Sequence, residues 1–122
     1  MNLFKYFNYL YLRYMGCIVE KDIDIRGLVY IKNKGSISIG SSFICNSGLI
    51  KNPIGGDTIA RFVVRPGGSI SIGNNVWVGD GVTILDGVSI GDNAAVGAGS
   101  VVNKNIPSSE VHAGVPARNI RS

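Results

Sequence analysis

From residue 72 onward, aliphatic side chains return every six positions: Ile72, Val78, Ile84, Ile90, Val96 and Val102. Glycine follows four of them, at Gly73, Gly79, Gly91 and Gly97. A second register four residues on reads Val76, Val82, Val88, Ala94, Ser100 and Ile106, all small or β-branched. A six-residue period matches neither the 3.6 of a helix nor the unbroken alternation of a long strand. It predicts a solenoid of short strands broken by a turn at each corner, with the aliphatic residue of each hexad pointing inward. Upstream, the spacing begins at Val19 and runs through Ile25, Ile31 and Ile37, with Ile23 and Val29 in the second register. A direct repeat reinforces it: GSISIG fills 35–40 and again 68–73, and the stretches that follow, SSFICNSG and NNVWVGDG, also align. The segment between the copies is less regular, and Pro53–Gly56 reads as a turn in an outward loop. Three hexads make a triangular coil of about 18 residues, so 18–107 holds about five coils stacked about 4.8 Å apart. Pro107 ends the pattern and leaves 108–122 as a C-terminal tail.

Residues 1–17 follow another rhythm. Leu3, Phe4, Phe7, Leu10, Tyr11 and Tyr14 recur at helical spacing, with no glycine or proline before Gly16. The pattern predicts a helix that caps the open end of the solenoid, since terminal repeats need covering. An aromatic and basic helix lying on a membrane surface is the alternative, and the two are compatible. The apolar run, interrupted by Lys5 and Arg13, is too short and too charged to span a bilayer. It also lacks the form of a signal peptide, which points to the cytoplasm.

Composition agrees with this picture. Glycine is 17 of 122 residues while proline is only 4, a balance that fits many turns in an ordered fold. A net charge of +4, carried by scattered basic residues, suits an acidic small molecule and argues against nucleic acid. Cys17 and Cys45 sit among apolar neighbours and read as buried free thiols. Asp80, Asp86 and Asp92 recur every six residues beside glycines, so turn chemistry explains them better than calcium. No metal is expected. A prism this small is marginal alone, and burying a flat face in a closed cyclic oligomer, a homotrimer, would stabilise it.

The stretch 72–121, IGNNVWVGDGVTILDGVSIGDNAAVGAGSVVNKNIPSSEVHAGVPARNIR, resembles the hexapeptide-repeat acyltransferases. Within that family it is most similar to the sugar and polysaccharide O-acetyltransferases. The resemblance implies an all-β fold, the left-handed parallel β-helix, whose hand the spacing alone does not reveal. It implies acetyl-CoA as acyl donor, lying in a groove between neighbouring prisms. On the matching positions, Gly97, Ala98, Gly99 and Ser100 would let the backbone approach the pantetheine arm and offer free N–H groups. Lys104 would meet the nucleotide phosphates, joined by Arg118 and Arg121. For the glycines a plain corner turn competes with that role, and for Lys104 a solvated surface position does. Trp77 falls near the substrate groove or the subunit interface, and packing is the simpler account of it.

One element of the chemistry is missing. Transfer from a thioester to a hydroxyl needs a base, which in this family is a histidine midway along the helix. The single histidine here, His112, lies in the expected tail, at a position that carries no catalysis in the family. Asp57 is the nearest carboxylate candidate and a weak one. The chain therefore reads as a shortened member: an O-acetyltransferase of a sugar or surface-polysaccharide precursor, or an impaired relative that keeps CoA binding. One histidine excludes a zinc carbonic anhydrase of this shape, and the lack of a threonine ladder excludes an ice-binding solenoid.

Overall fold

A computed structural model describes residues 3–20, 22–27, 29–46 and 59–121. Asp57 and the Pro53–Gly56 turn lie outside them.

The strands are short because each ends at a corner. They are β1 (Cys17–Val19), β2 (Asp24–Arg26), β3 (Val29–Asn33), β4 (Ser36–Ile39), β5 (Ile44–Asn46), β6 (Ala60–Val64) and β7 (Ser69–Ile72). After them come β8 (Trp77–Val78), β9 (Thr83–Leu85), β10 (Val88–Ile90), β11 (Ala95–Val96), β12 (Val101–Val102), β13 (Val111–Ala113) and β14 (Arg118–Arg121). Through β12, every third strand joins the same sheet. The first face stacks β1-β4-β7-β10, the second β2-β5-β8-β11-β13-β14, and the third β3-β6-β9-β12. All pairings are parallel except β13 with β14. The described residues form a three-sided left-handed parallel β-helix of four full coils and two sides of a fifth.

Both hexad registers turn inward. Ile72, Val78, Ile84, Ile90, Val96 and Val102 are buried, and so are Val76, Val82, Val88, Ala94, Ser100 and Ile106. Like stacks on like, as in the run Ile39–Ile72–Ile90 on the first face. In the second coil Phe43 and Phe62 meet edge to face, centroids 6.3 Å apart, and fill the centre. Cys17 and Cys45 are buried free thiols as expected, their pKa values pushed up to about 11 and about 12 by burial, with Asp80 adding to the effect on Cys45.

The corners set the register, and they vary in length. Stacked partners are 18 residues apart between Ile70 and Val88, but 20 apart between Cys17 and Ile37 and 16 apart between Val96 and His112. The extra two residues near Gly35 move Ile37 out of the column the hexad count gives it, and Ile39 stacks there instead. The shorter corner at 103–105 moves Ile106 onto Ile90, out of the second register. The expected tail is likewise a continuation of the coil: β13 adds a fifth rung, and β14 folds back to cover it.

At the opposite end lies α1 (Leu3–Tyr14). It stops at Gly16, whose φ of +85° is the left-handed conformation in which glycine ends helices. It covers the prism, but not with the predicted stripe. Leu12 and Asn8 face the core, and Tyr9, Tyr11 and Met15 pack beside them. Phe7, Leu10 and Tyr14 face outward. The Asn8 side chain donates to the carbonyls of Ile25 (3.1 Å) and Gly27 (3.3 Å), backbone groups of the terminal coil with no further rung to bond them. Asn33 donates to the Met15 carbonyl (3.1 Å) and ties down the far end of the helix.

Candidate functional site

The corner between β11 and β12 is built from Gly97, Ala98, Gly99 and Ser100. Gly99 adopts φ +74° directly above Gly81 (φ +68°), and its N–H donates to the Asp80 carbonyl at 2.7 Å. The Gly97 N–H donates to the His112 carbonyl, and the Ser100 N–H to the Gly97 carbonyl. Three of the N–H groups expected to be free for a ligand are therefore committed to the turn. Ser100 is fully buried; its hydroxyl donates to the Gly97 carbonyl (2.7 Å) and accepts from the Gly114 N–H (3.0 Å). It braces the corner from inside, which removes it from the ligand surface. Ala98 and Gly99 are exposed, so the corner offers close approach to backbone rather than a row of donors.

The C-terminal segment is laid against this corner. The Val101 N–H donates to the Gly114 carbonyl, and the Ala117 N–H to the Val101 carbonyl. Arg118 follows directly, paired with Ala113 and donating to the Ala117 carbonyl at 2.7 Å. Arg118 is thus brought beside Gly97–Ser100. Arg121 is not: it pairs with Val111 at the far end of the same strand pair. Lys104 is exposed at the next corner, across the third face. Trp77, 41% exposed, lies outside the second face between Ile44 and Ala95.

His112 is not an ordinary tail residue. It occupies the inward position that Val96 and Val78 hold in the coils beneath, and is only 9% exposed. Its Nε2 lies 3.0 Å from Glu110 Oε1. The His112 hydrogen bond, with one from Asn119 of β14, holds the Glu110 carboxyl below the usual carboxylate range. A general base must direct a lone pair at its substrate, whereas this ring faces the interior at the closed end of the prism.

The three aspartates separate by geometry. A six-residue step moves one face around the prism, so Asp80, Asp86 and Asp92 sit at three different corners and cannot converge on one ion. Asp92 accepts the Asn74 N–H at 2.7 Å. Asp86 receives both the guanidinium of Arg65 (3.0 and 3.1 Å) and its backbone N–H (3.0 Å), which holds the carboxyl below its ordinary range. This clamp, beside an open cleft of about 440 Å³ lined by Arg65–Gly68, Asp86 and Gly87, had no signal in the sequence: its partners are separated by a whole coil.

Residues 69–104 match the bacterial transferase hexapeptide family, six repeats in all. No curated protein sequence matches the chain. Among solved structures, a maltose O-acetyltransferase from Clostridium difficile 630 is similar at 26% identity and a TM-score of 0.59, over 88% of this chain and 63% of its own. A hexapeptide-repeat acetyltransferase from Vibrio cholerae, complexed with acetyl coenzyme A, is 23% identical with a TM-score of 0.61, over 100% of this chain and 79% of its own. A serine acetyltransferase from Brucella abortus shares the fold at 23% identity and a TM-score of 0.56, with 88% of this chain covering 40% of that one. This chain therefore spans less than two thirds of the Clostridium and Brucella proteins. Residues 69–104 are thus hexapeptide repeats of the bacterial transferase type, and the chain shares the left-handed parallel β-helix fold of the hexapeptide-repeat acetyltransferases.

Proposed function

We propose that the chain transfers an acetyl group from acetyl-CoA to a hydroxyl of a sugar or surface-polysaccharide precursor, acting in the cytoplasm as a homotrimer. The strict run of transferase hexads at 69–104 carries this reading. The similar maltose O-acetyltransferase supports the acceptor class, and the acetyl-CoA held by the Vibrio protein supports the donor. In the reaction the acceptor oxygen attacks the thioester carbon, the C–S bond breaks, and CoA leaves as the thiol. On this chain Ala98 and Gly99 would form the wall against which the pantetheine arm lies, with Arg118 beside it and Lys104 one corner away as anion-binding cations. Trp77 would border the acceptor side.

A second reading, a trimer that binds CoA without turnover, is favoured by the placement of His112. The only histidine of the chain faces inward and is bound to Glu110. A shortened helix lacking its mid-coil base would look like this. Both readings predict CoA binding by calorimetry, weakened several-fold in Arg118→Ala, and a trimer by light scattering. Thiol release from acetyl-CoA with a panel of sugars separates them, since turnover establishes the first and binding with no turnover the second. A monomer that binds no CoA would end both.

A further inference from the structure

At about 100° per residue, Arg13, Tyr6, Leu10, Tyr14 and Phe7 fall within about 120° of arc on α1. These residues are the exposed face of the helix, with Tyr6 48%, Phe7 52%, Leu10 48% and Tyr14 87% accessible. Asn8, Leu12 and Met15 occupy the opposite arc and serve the core. The helix thus carries two apolar faces, and the inner one serves the core. An apolar cleft of about 270 Å³ lined by Phe7, Tyr11, Val29, Tyr30 and Ile59 extends the outer surface onto the first coil, where Tyr30 is half exposed.

Charge identifies the occupant. No acidic residue precedes Glu20 in the chain. The bonds from Asn8 to Ile25 and Gly27 and from Asn33 to Met15 hold the helix across the end of the first coil, and the exposed cations Arg13, Lys32 and Lys34 flank the second of these ties in sequence. The exposed acids of this coil, Glu20 and Asp22, lie at the corner between the first and second faces, where Asp22 accepts from Ser42. The outer face of α1 itself carries Arg13 and no carboxylate, so pairing two copies through it would set cation against cation. A tyrosine-rich apolar face bordered by cations instead matches the boundary of a bilayer with anionic headgroups, where aromatic rings bury their bodies and keep their hydroxyls wet.

We propose that the outer face of α1 docks the prism onto an anionic lipid surface. This places the transferase corner of Gly97–Ser100 about three coil spacings, on the order of 15 Å, above the first coil, which the helix covers. Flotation of the full chain with phosphatidylcholine vesicles, with and without phosphatidylglycerol, is the test. The protein is expected to float with the anionic vesicles only, and less so as salt rises. Arg13→Ala should lower partitioning about fivefold, as one surface cation does. Leu10→Ser/Tyr14→Ser, at positions too exposed to matter for folding, should abolish flotation while leaving the thermal melt unchanged. The proposal is overturned if the wild type stays unbound at every composition. It is equally overturned if the double variant floats like the wild type, or if that variant instead changes the oligomer mass, which would make this face a contact between copies.

Discussion

The prism has two ends, and each closes in its own way. At the first, a helix lies across the terminal coil, sinks Leu12 into the core and uses one amide, Asn8, to satisfy two orphaned carbonyls. At the second, the inward positions of the last rung pass to Glu110 and His112, and an antiparallel strand of exposed residues covers them. A solenoid needs its end groups satisfied, and either apolar burial or a polar clasp achieves this. The difference is energetic. The helical end contributes to the core, whereas the clasp is partly wet and mainly closes the edge of the second face. Arg118 and Arg121 on β14 also discourage a foreign strand from adding there.

That contrast can be broken by substitution. Leu12→Ala empties a fully buried site and should cost about 2–5 kcal/mol in urea unfolding, the largest effect at either end. Asn8→Ala strands two buried carbonyls at a cost of about 1–3 kcal/mol, and Asn8→Asp should not rescue it, because a carboxylate accepts where donation is needed. His112→Val restores the apolar column of Val96 and leaves Glu110 to water and Asn119, so about 1 kcal/mol or less is expected. A loss at His112 as large as that at Leu12 would erase the distinction between the ends.

The smallest effect is a pH dependence confined to the clasp. The Glu110 carboxyl is depressed in the folded chain, so its contribution is fully present above the ordinary carboxylate pKa and is lost as pH falls through the folded value. Thermal melts of the wild type and Glu110→Gln should therefore differ at neutral pH and converge toward pH 3. Melts that stay parallel down to that pH would remove the carboxylate from the clasp.

The middle of the prism was legible and its margins less so, for a reason of counting. Between Ile70 and Val102 the corners hold a constant length, so spacing and stacking agree residue by residue. Ile37 and Ile106 were misplaced by two positions because corners, unlike strands, absorb residues without changing what faces inward. His112 was missed as an inward residue because it follows such a corner and because polar side chains there contradict the pattern that defines the repeat. In α1 the spacing revealed a helix but favoured its outer face, since an asparagine that bonds backbone carbonyls carries no hydropathy signal. The loss of donors at Gly97–Ser100 depended on bonds to Asp80 and His112 from neighbouring coils, which no local motif records.

The steps of 20, 18 and 16 residues between stacked partners separate contour length from position in this molecule. Material added or removed at a corner leaves the faces beyond it in phase, whereas a single residue added within a strand would turn its neighbours inside out. Corners are the places where such a chain tolerates revision.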